Sequence, residues 1–241
     1  MLPEIPPEEY AACLDGVVEE LLREAGVHAP PVDAFAVARG LGVTVARDDR
    51  QQGRARFVRL QSHRGTAPRA TILLRSDPRT ERRHWAVAHE IGEHAAWRVF
   101  SALGADPKEV APAARETVAN HLAGRLLLPQ RWFAEDGPAE NWDLEALKGR
   151  YRTASHELIA RRMLEFPSPI IISIFDQGRL FLRRSNLPGA VPPPSDEETR
   201  QQQAAHATGF SQSEASIRCW PIHEPGWKRE ILRREVVEVF C

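Results

Sequence analysis

One short segment of the chain concentrates residues that can bind a metal ion. His89, Glu90, Glu93 and His94 fall within six consecutive positions, in the sequence AVAHEIGEH of residues 86–94. Neutral imidazole nitrogens and carboxylate oxygens are zinc ligands, and a catalytic zinc site keeps one position open for water while a nearby carboxylate takes its proton. The segment therefore predicts a metal site that can catalyse hydrolysis.

The spacing of the two histidines leaves three ligand pairs open. In the HExxH helix of zinc peptidases the histidines are four residues apart and share one face. Here they are five apart, and five residues turn a regular helix by about 140° beyond one full turn. His89 can join His94 across a π-type widening, His89 can join Glu93 on a regular helix, or Glu90 can join His94 on a regular helix. We favour His89 with His94, because two histidines and one carboxylate are the more usual zinc set.

Two helices must position these groups. Hydrophobic spacing predicts a helix over 80–100, which carries the whole segment, and a second helix over 112–128 that ends at a proline. The polar face of the second helix carries Glu116 and Asn120.

Interpretations without a metal also stay open. The segment can be a solvated helix face whose charges Arg82, Arg83 and Arg98 balance, and Glu116 can be a surface carboxylate that pairs with Arg115. The small and apolar residues between the glutamates and histidines favour burial over exposure, and buried imidazoles and carboxylates need partners.

The remaining pattern predicts an α+β chain in three parts. We expect a helical domain with a small sheet over 1–135, a helix-turn-helix-like segment over 136–167 and a β-rich C-terminal region over 168–241. Further helices are predicted over 10–25, 34–39, 142–151 and 155–166, and strands over 41–45, 54–61, 70–74, 170–175 and 179–183. A polar helix follows an exposed loop within 187–203, and the pattern over 228–238 fits a helix or a strand.

A loop is predicted between Trp220 and Trp227, which bracket His223 and Glu224. Two tryptophans in one loop must pack against something, so the loop either anchors on the domain or contacts a ligand. Its role stays open.

Four arginines lie near the predicted helix pair: Arg150, Arg152, Arg161 and Arg162. Such a group can contact DNA phosphates. Carboxylates on the same helices can pair with these arginines instead, and the net charge of the chain is only −1. We therefore do not expect direct DNA binding.

Composition excludes several classes of protein. The 241 residues include 32 Lys and Arg against 33 Asp and Glu, which gives no general attraction to nucleic acid or anionic lipid. No apolar run is long enough for a membrane span, and the start is acidic and rich in proline, unlike a secretory signal. We expect a cytoplasmic protein with no membrane partner, in which Cys13, Cys219 and Cys241 are reduced.

Several segments together resemble the ImmA/IrrE family of metallopeptidases. Residues 32–43 resemble the family's N-terminal helix and strand, and residues 81–92 its arginine-led active-site helix. Residues 116–129 resemble the helix that brings a glutamate ligand, and 152–164 followed by 170–179 resemble the helical pair and the strand after it. The segments follow the order and approximate spacing of the family, which makes the combination specific.

The resemblance implies a zincin-like metallo-endopeptidase that holds one zinc ion. It makes His89 the first ligand, Glu90 the base that activates water and Glu116 the third ligand. The sequence departs from the family's HExxH by one residue, and we take His94 as the second ligand. The implied substrate is a DNA-binding repressor, cut in response to stress or to induction of a mobile element. The alternative is a non-catalytic sensor or antitoxin-like binding module on the same scaffold.

Overall fold

A computed structural model describes residues 5–61 and 67–236 of the chain. The chain divides into two compact units, Met1–Asp136 with Gly149–Ser155, and Gly137–Lys148 with His156–Cys241. The predicted division into three parts stays a prediction. Cys13 and Cys219 are free thiols, as expected, and Cys241 lies outside the described residues.

The helices of the first unit follow their hydrophobic spacing closely. They are α1 (Pro7–Glu24), α2 (Ala34–Gly40), α3 (Thr80–Ala102) and α4 (Pro112–Leu127). Each buries an apolar face, which stabilises the helix through tertiary packing. α2 begins at Asp33, whose side chain accepts hydrogen bonds from the backbone N–H groups of Phe35 and Ala36.

The first unit also contains a three-stranded sheet. Its strands are β1 (Thr44–Arg47), β2 (Ala55–Leu60) and β3 (Arg69–Leu74), in the order β1-β3-β2. β3 pairs in parallel with β1 and antiparallel with β2. β2 is therefore an edge strand, and it contacts the helix that carries the predicted metal segment.

Three shorter helices follow: α5 (Gln130–Ala139), α6 (Leu144–Arg150) and α7 (His156–Met163). The hydrophobic pattern predicted α6 and α7 but not α5. Pro129 ends the preceding helix, as expected, yet its carbonyl oxygen accepts a hydrogen bond from the N–H of Phe133 and starts α5. A proline that stops one helix can thus begin the next.

The second unit is built on a five-stranded sheet in the order β5-β4-β8-β7-β6. Its strands are β4 (Ile170–Asp176), β5 (Arg179–Ser185), β6 (Gln212–Glu214), β7 (Ile217–Glu224) and β8 (Trp227–Glu235). Helix α8 (Asp196–Thr208) begins with a capping box of Ser195 and Glu198 and contacts β6, β7 and β8.

One prediction for this region changes, and one assignment that the sequence left open is decided. The predicted loop between Trp220 and Trp227 is mostly β7, which pairs antiparallel with β8 around a tight turn. The undecided segment that follows is a strand as far as Glu235. Trp220 is buried and its indole N–H donates to Asp143, whereas Trp227 is partly exposed. The predicted α+β class with a β-rich C-terminal region is confirmed.

Candidate metal centre

α3 presents two different faces to its neighbours. The helix is regular from Thr80 to Ala102, so residues four apart share a face. His89 and Glu93 lie on one such face, where each offers a ligand atom within 4.8 Å of a ligand atom of Glu116 and of each other. The structure therefore assembles one imidazole and two carboxylates into a group that can hold a metal ion.

α4 reaches this group because it approaches α3 very closely. A Cβ atom on Gly92 would lie 2.6 Å from the carbonyl oxygen of Ala119, so only glycine allows this approach. The crossing places Glu116 Oε2 3.5 Å from His89 Nε2. The predicted meeting of His89 with a carboxylate from the second helix is thus present in the structure.

Asn120 connects two members of the group. Its Oδ1 lies 3.2 Å from His89 Nδ1, and its Nδ2 donates to Glu116 Oε1 at 3.0 Å. With the Nδ1 proton directed at Asn120, the Nε2 lone pair of His89 is free for a metal. The sequence analysis placed Asn120 on the polar face of α4 but gave it no role. Its position one helical turn after Glu116 was the available signal.

The other face of α3 packs toward β2. Glu90 is buried, and the backbone N–H of Phe57 donates a hydrogen bond to its carboxylate. The His94 ring stacks on the Phe57 ring with centroids 4.5 Å apart and the planes 11° from parallel. Glu90 and His94 thus share a face with each other, while His89 and Glu93 share the neighbouring face.

Two of these groups, the buried Glu90 and the exposed His94, have shifted pKa values. Desolvation raises the pKa of Glu90, and the negative charge of Glu93 adds to the rise. Desolvation lowers the pKa of His94, and the positive charges of Arg59 and Arg98 add to the fall. Both pKa shifts are in the direction of the neutral form.

The expected widening of α3 is absent, and His94 does not converge with His89 and Glu116. The physical reason is the regular helix, which turns His94 to the Phe57 side and leaves Glu93 in its place. Of the three ligand pairs left open by the sequence, the geometry favours His89 with Glu93. Which residues bind metal stays a prediction, to be tested by metal binding.

The arginines that the interpretations without a metal invoke make other contacts, although Glu93 and Glu116 are both exposed, as a solvated helix face requires. Arg98 pairs with Glu24 on α1, and Arg82 lies 3.8 Å from Asp77, so both arginines are directed away from the group. The guanidinium of Arg115 donates to the carbonyl oxygen of Pro107.

The two flanking histidines have structural contacts. His84 Nδ1 accepts a hydrogen bond from the N–H of Ala34 at the start of α2. His121 Nδ1 lies 2.9 Å from the hydroxyl of Tyr10 on α1. Both histidines hold neighbouring helices, and neither belongs to the metal group.

Comparison with models of protein families shows which family the chain belongs to. Residues 38–164, more than half of the chain, match the model of the peptidase M78 family, described as the IrrE N-terminal-like domain. The chain belongs to this family. The resemblance to ImmA/IrrE proteins found in the sequence is therefore confirmed, and the match includes α3, α4 and every residue of the group.

The fold of the ImmA/IrrE-like chain is also found among solved structures. A Mycobacterium tuberculosis transcriptional regulator aligns with a TM-score of 0.65 and 17% sequence identity, over 96% of this chain and 81% of that one. At this identity the likeness shows the fold alone. Among curated proteins, none matches the chain in sequence.

The donor set is compatible with the metal that the family implies. The Nδ1 of His89 contacts Asn120, its Nε2 lies 3.5 Å from Glu116 Oε2, and Glu93 offers a ligand atom within 4.8 Å of the other two residues. Oriented imidazoles of this kind are usual at metal sites in proteins, and mixed imidazole and carboxylate sets bind zinc, manganese and iron. Within the described part of the chain, no helix combines the length and hydrophobicity needed to cross a membrane.

Proposed function

We propose that this chain is a metal-dependent endopeptidase whose ion is held by His89, Glu93 and Glu116, with Glu90 as the base. The observation that carries the proposal is the group of three ligand atoms within 4.8 Å of one another, on the two helices that match the peptidase family. Glu93 takes the position that the second histidine holds in HExxH, because it is the residue four after His89.

The side chains have separate tasks in this proposal. A divalent ion bound here would supply Lewis acidity toward a peptide carbonyl and a water molecule. Glu90 accepts the proton of the attacking water at its carboxylate and delivers it to the leaving amine. The N–H of Phe57 fixes the Glu90 carboxylate, and Asn120 fixes the ring of His89 and the carboxylate of Glu116.

We propose zinc as the ion, in keeping with the family. A set of one imidazole and two carboxylates is richer in oxygen than the two-histidine set and also suits manganese. Reconstitution should therefore be carried out with zinc and with manganese in parallel.

We propose a DNA-binding repressor protein as the substrate, cut during a stress response or the induction of a mobile element. This step is supported by the family membership and by no contact in the structure. The substrate class therefore needs its own test, by cleavage of candidate repressors from the same genome.

Two glutamate variants test the roles, with Glu109→Gln as the control because Glu109 is exposed and outside the metal group. Glu116→Gln should lower metal affinity. Glu90→Gln should keep the metal and lower cleavage by about 10²-fold to 10⁴-fold, the usual effect of removing a base. Metal content is measured by mass spectrometry in protein that also carries His206→Gln and His223→Gln, which removes another group of candidate ligands, and cleavage by new peptide termini in a proteome-derived peptide mixture. Loss of metal in Glu90→Gln with retention in Glu116→Gln would contradict these roles.

A second function has its own support. Glu93 replaces a histidine in the motif, and a structure of similar fold is a transcriptional regulator. The same chain can therefore be a non-catalytic regulator in which the site is a sensor or a binding surface. Wild-type protein that holds metal but produces no more termini than Glu90→Gln would favour this function over the peptidase.

A further inference from the structure

The second unit contains another group of metal-ligand residues, which the proposed peptidase does not use. His206 of α8, His223 of β7 and Glu230 of β8 each offer a ligand atom within 4.8 Å of the others. His206 Nδ1 lies 2.9 Å from Glu230 Oε1, and His223 Nε2 lies 2.8 Å from the same oxygen. Three separate elements thus bring two imidazole nitrogens to one carboxylate oxygen.

The carboxylate at the centre is completely buried. Glu230 has a relative exposure of 0%. Its second oxygen accepts a hydrogen bond from the amide of Gln202 at 3.0 Å, and Gln202 lies one turn before His206 on α8. A buried carboxylate is costly unless positive charge and hydrogen bonds compensate it. The amide of Gln202 orients the carboxylate but adds no charge.

The basic side chains next to Glu230 in sequence are engaged elsewhere. Lys228 Nζ donates to the backbone carbonyl of His206, and Arg229 forms two hydrogen bonds with Asp176. Among the residues that the structure describes, no lysine or arginine pairs with Glu230. The two histidines supply positive charge only when they are protonated. A bound cation would supply the missing charge at any pH at which the rings are neutral.

The distances suit a small divalent ion. Zinc bonds nitrogen and oxygen at about 2.0 Å, which separates tetrahedral ligands by about 3.3 Å. The contacts of 2.9 Å and 2.8 Å to Glu230 Oε1 are slightly shorter, so small side-chain rotations would admit the ion. Gln202 would then hold the ligating carboxylate from behind, as outer hydrogen bonds do at known metal sites.

We propose that His206, His223 and Glu230 bind a divalent transition-metal ion, with zinc as the preferred ion. The set has three protein ligands, so one coordination position remains for water or a small ligand, and the ion can exchange. Because the ligands come from a helix and from both strands of a hairpin, the bound ion would join α8 to β7 and β8. Metal binding would therefore stabilise the second unit, independently of peptidase activity.

The experiment uses the full chain without a polyhistidine tag, carrying His89→Gln and Glu116→Gln to remove the first site. This background should still bind one zinc ion per chain and melt at a higher temperature with zinc than with a chelator. Adding His206→Gln and His223→Gln should remove both the ion and the zinc-dependent shift. The matched control is His28→Gln, because His28 is exposed and outside both groups.

A second measurement needs no variant of the new site. In the His89→Gln, Glu116→Gln background, zinc should protect His206 and His223 from acylation by diethylpyrocarbonate, while His28 stays reactive. Equal zinc content and equal melting shifts with and without His206 and His223 would overturn the proposal. Equal acylation with and without zinc would also overturn the proposal. It would mean that His206, His223 and Glu230 form only a hydrogen-bonded group.

Discussion

At the scale of single residues, the candidate centre depends on which side chain stands four positions after His89. Glu93 occupies this position and His94 the next one, which lies on the side of the helix that packs toward Phe57. One residue of spacing therefore changes the candidate ligand set from two histidines and a carboxylate to one histidine and two carboxylates. The change adds negative charge and oxygen character to the site.

We predict that Glu93→Gln weakens metal binding in the first site and that His94→Gln does not. Glu93 belongs to the group around His89, whereas the ring of His94 stacks on Phe57. The dissociation constant for zinc should be measured for both variants by competition with a chromophoric chelator, in protein that lacks His206 and His223. A larger loss of affinity in His94→Gln would restore His94 as the second ligand.

Asn120→Ala should lower metal affinity at the first site by about 10-fold to 100-fold, the usual effect of losing an outer hydrogen bond. The variant frees both the ring of His89 and the carboxylate of Glu116. Thr117→Ala is the control on the same helix, because the Thr117 hydroxyl donates to the carbonyl of Ala113 and does not touch the group. Equal affinities in the two variants would show that Asn120 has no orienting role.

At the scale of helices and strands, the close crossing of α3 and α4 is the feature that assembles the site. Gly92 permits the crossing, and in the sequence it stands between the candidate ligands His89 and Glu93. Gly92 thus allows the close contact between α3 and α4. The same short segment therefore determines both the placement of the candidate ligands and the packing of the two helices.

Gly92→Ala should destabilise the protein by about 1–3 kcal/mol, the usual cost of overpacking. The new Cβ would lie 2.6 Å from the backbone oxygen of Ala119, so α4 must move and carry Glu116 with it. Gly16→Ala on α1 is the matched control, because nothing lies within 4 Å of its Cβ position and alanine favours a helix. Urea unfolding should show a loss for Gly92→Ala and none for Gly16→Ala.

At the scale of the whole molecule, stability depends on an acidic residue inside the second unit. Glu198 is completely buried, and Arg183 donates to both of its carboxylate oxygens at 2.9 Å and 3.1 Å. Burial by itself raises the pKa of Glu198. The hydrogen bonds from Arg183 and from the N–H of Ser195 outweigh burial, with help from the charge of Arg234, and the net pKa is lowered.

The lowered pKa predicts acid sensitivity of the fold. A carboxyl group whose pKa is lower in the folded state contributes stability above its unfolded pKa and loses it as the pH falls through the folded value. Glu198→Gln should cost about 3–5 kcal/mol near neutral pH, because Arg183 stays buried without its partner. The free energy of unfolding in urea should therefore fall less steeply below pH ~4.5 in Glu198→Gln than in wild type. Glu197→Gln, on the same first turn of α8, should follow wild type at every pH.

The order of most helices and strands could be predicted from the sequence alone. The apolar spacing of α1, α3 and α4 predicts their length, since each helix buries one face and its period is local. Helix α5 was not predicted because Pro129 indicates the end of a helix, and β7 was not predicted because Trp220, Pro221 and His223 interrupt the alternation of apolar and polar residues. Such segments take their structure from neighbours that are distant in the chain.

What the sequence by itself determined was the family, the helix that carries the chemistry and three of the candidate residues, His89, Glu90 and Glu116. Residue types and local spacing are sufficient for these conclusions. Only the tertiary structure placed Glu93, and not His94, beside His89 and Glu116, joined Asn120 to His89 and Glu116, and brought His206, His223 and Glu230 together. These outcomes depend on the rotation of each helix about its axis and on contacts between helices and strands. The sequence pattern does not specify which way a side chain points relative to an element that is distant in the chain and packs against it.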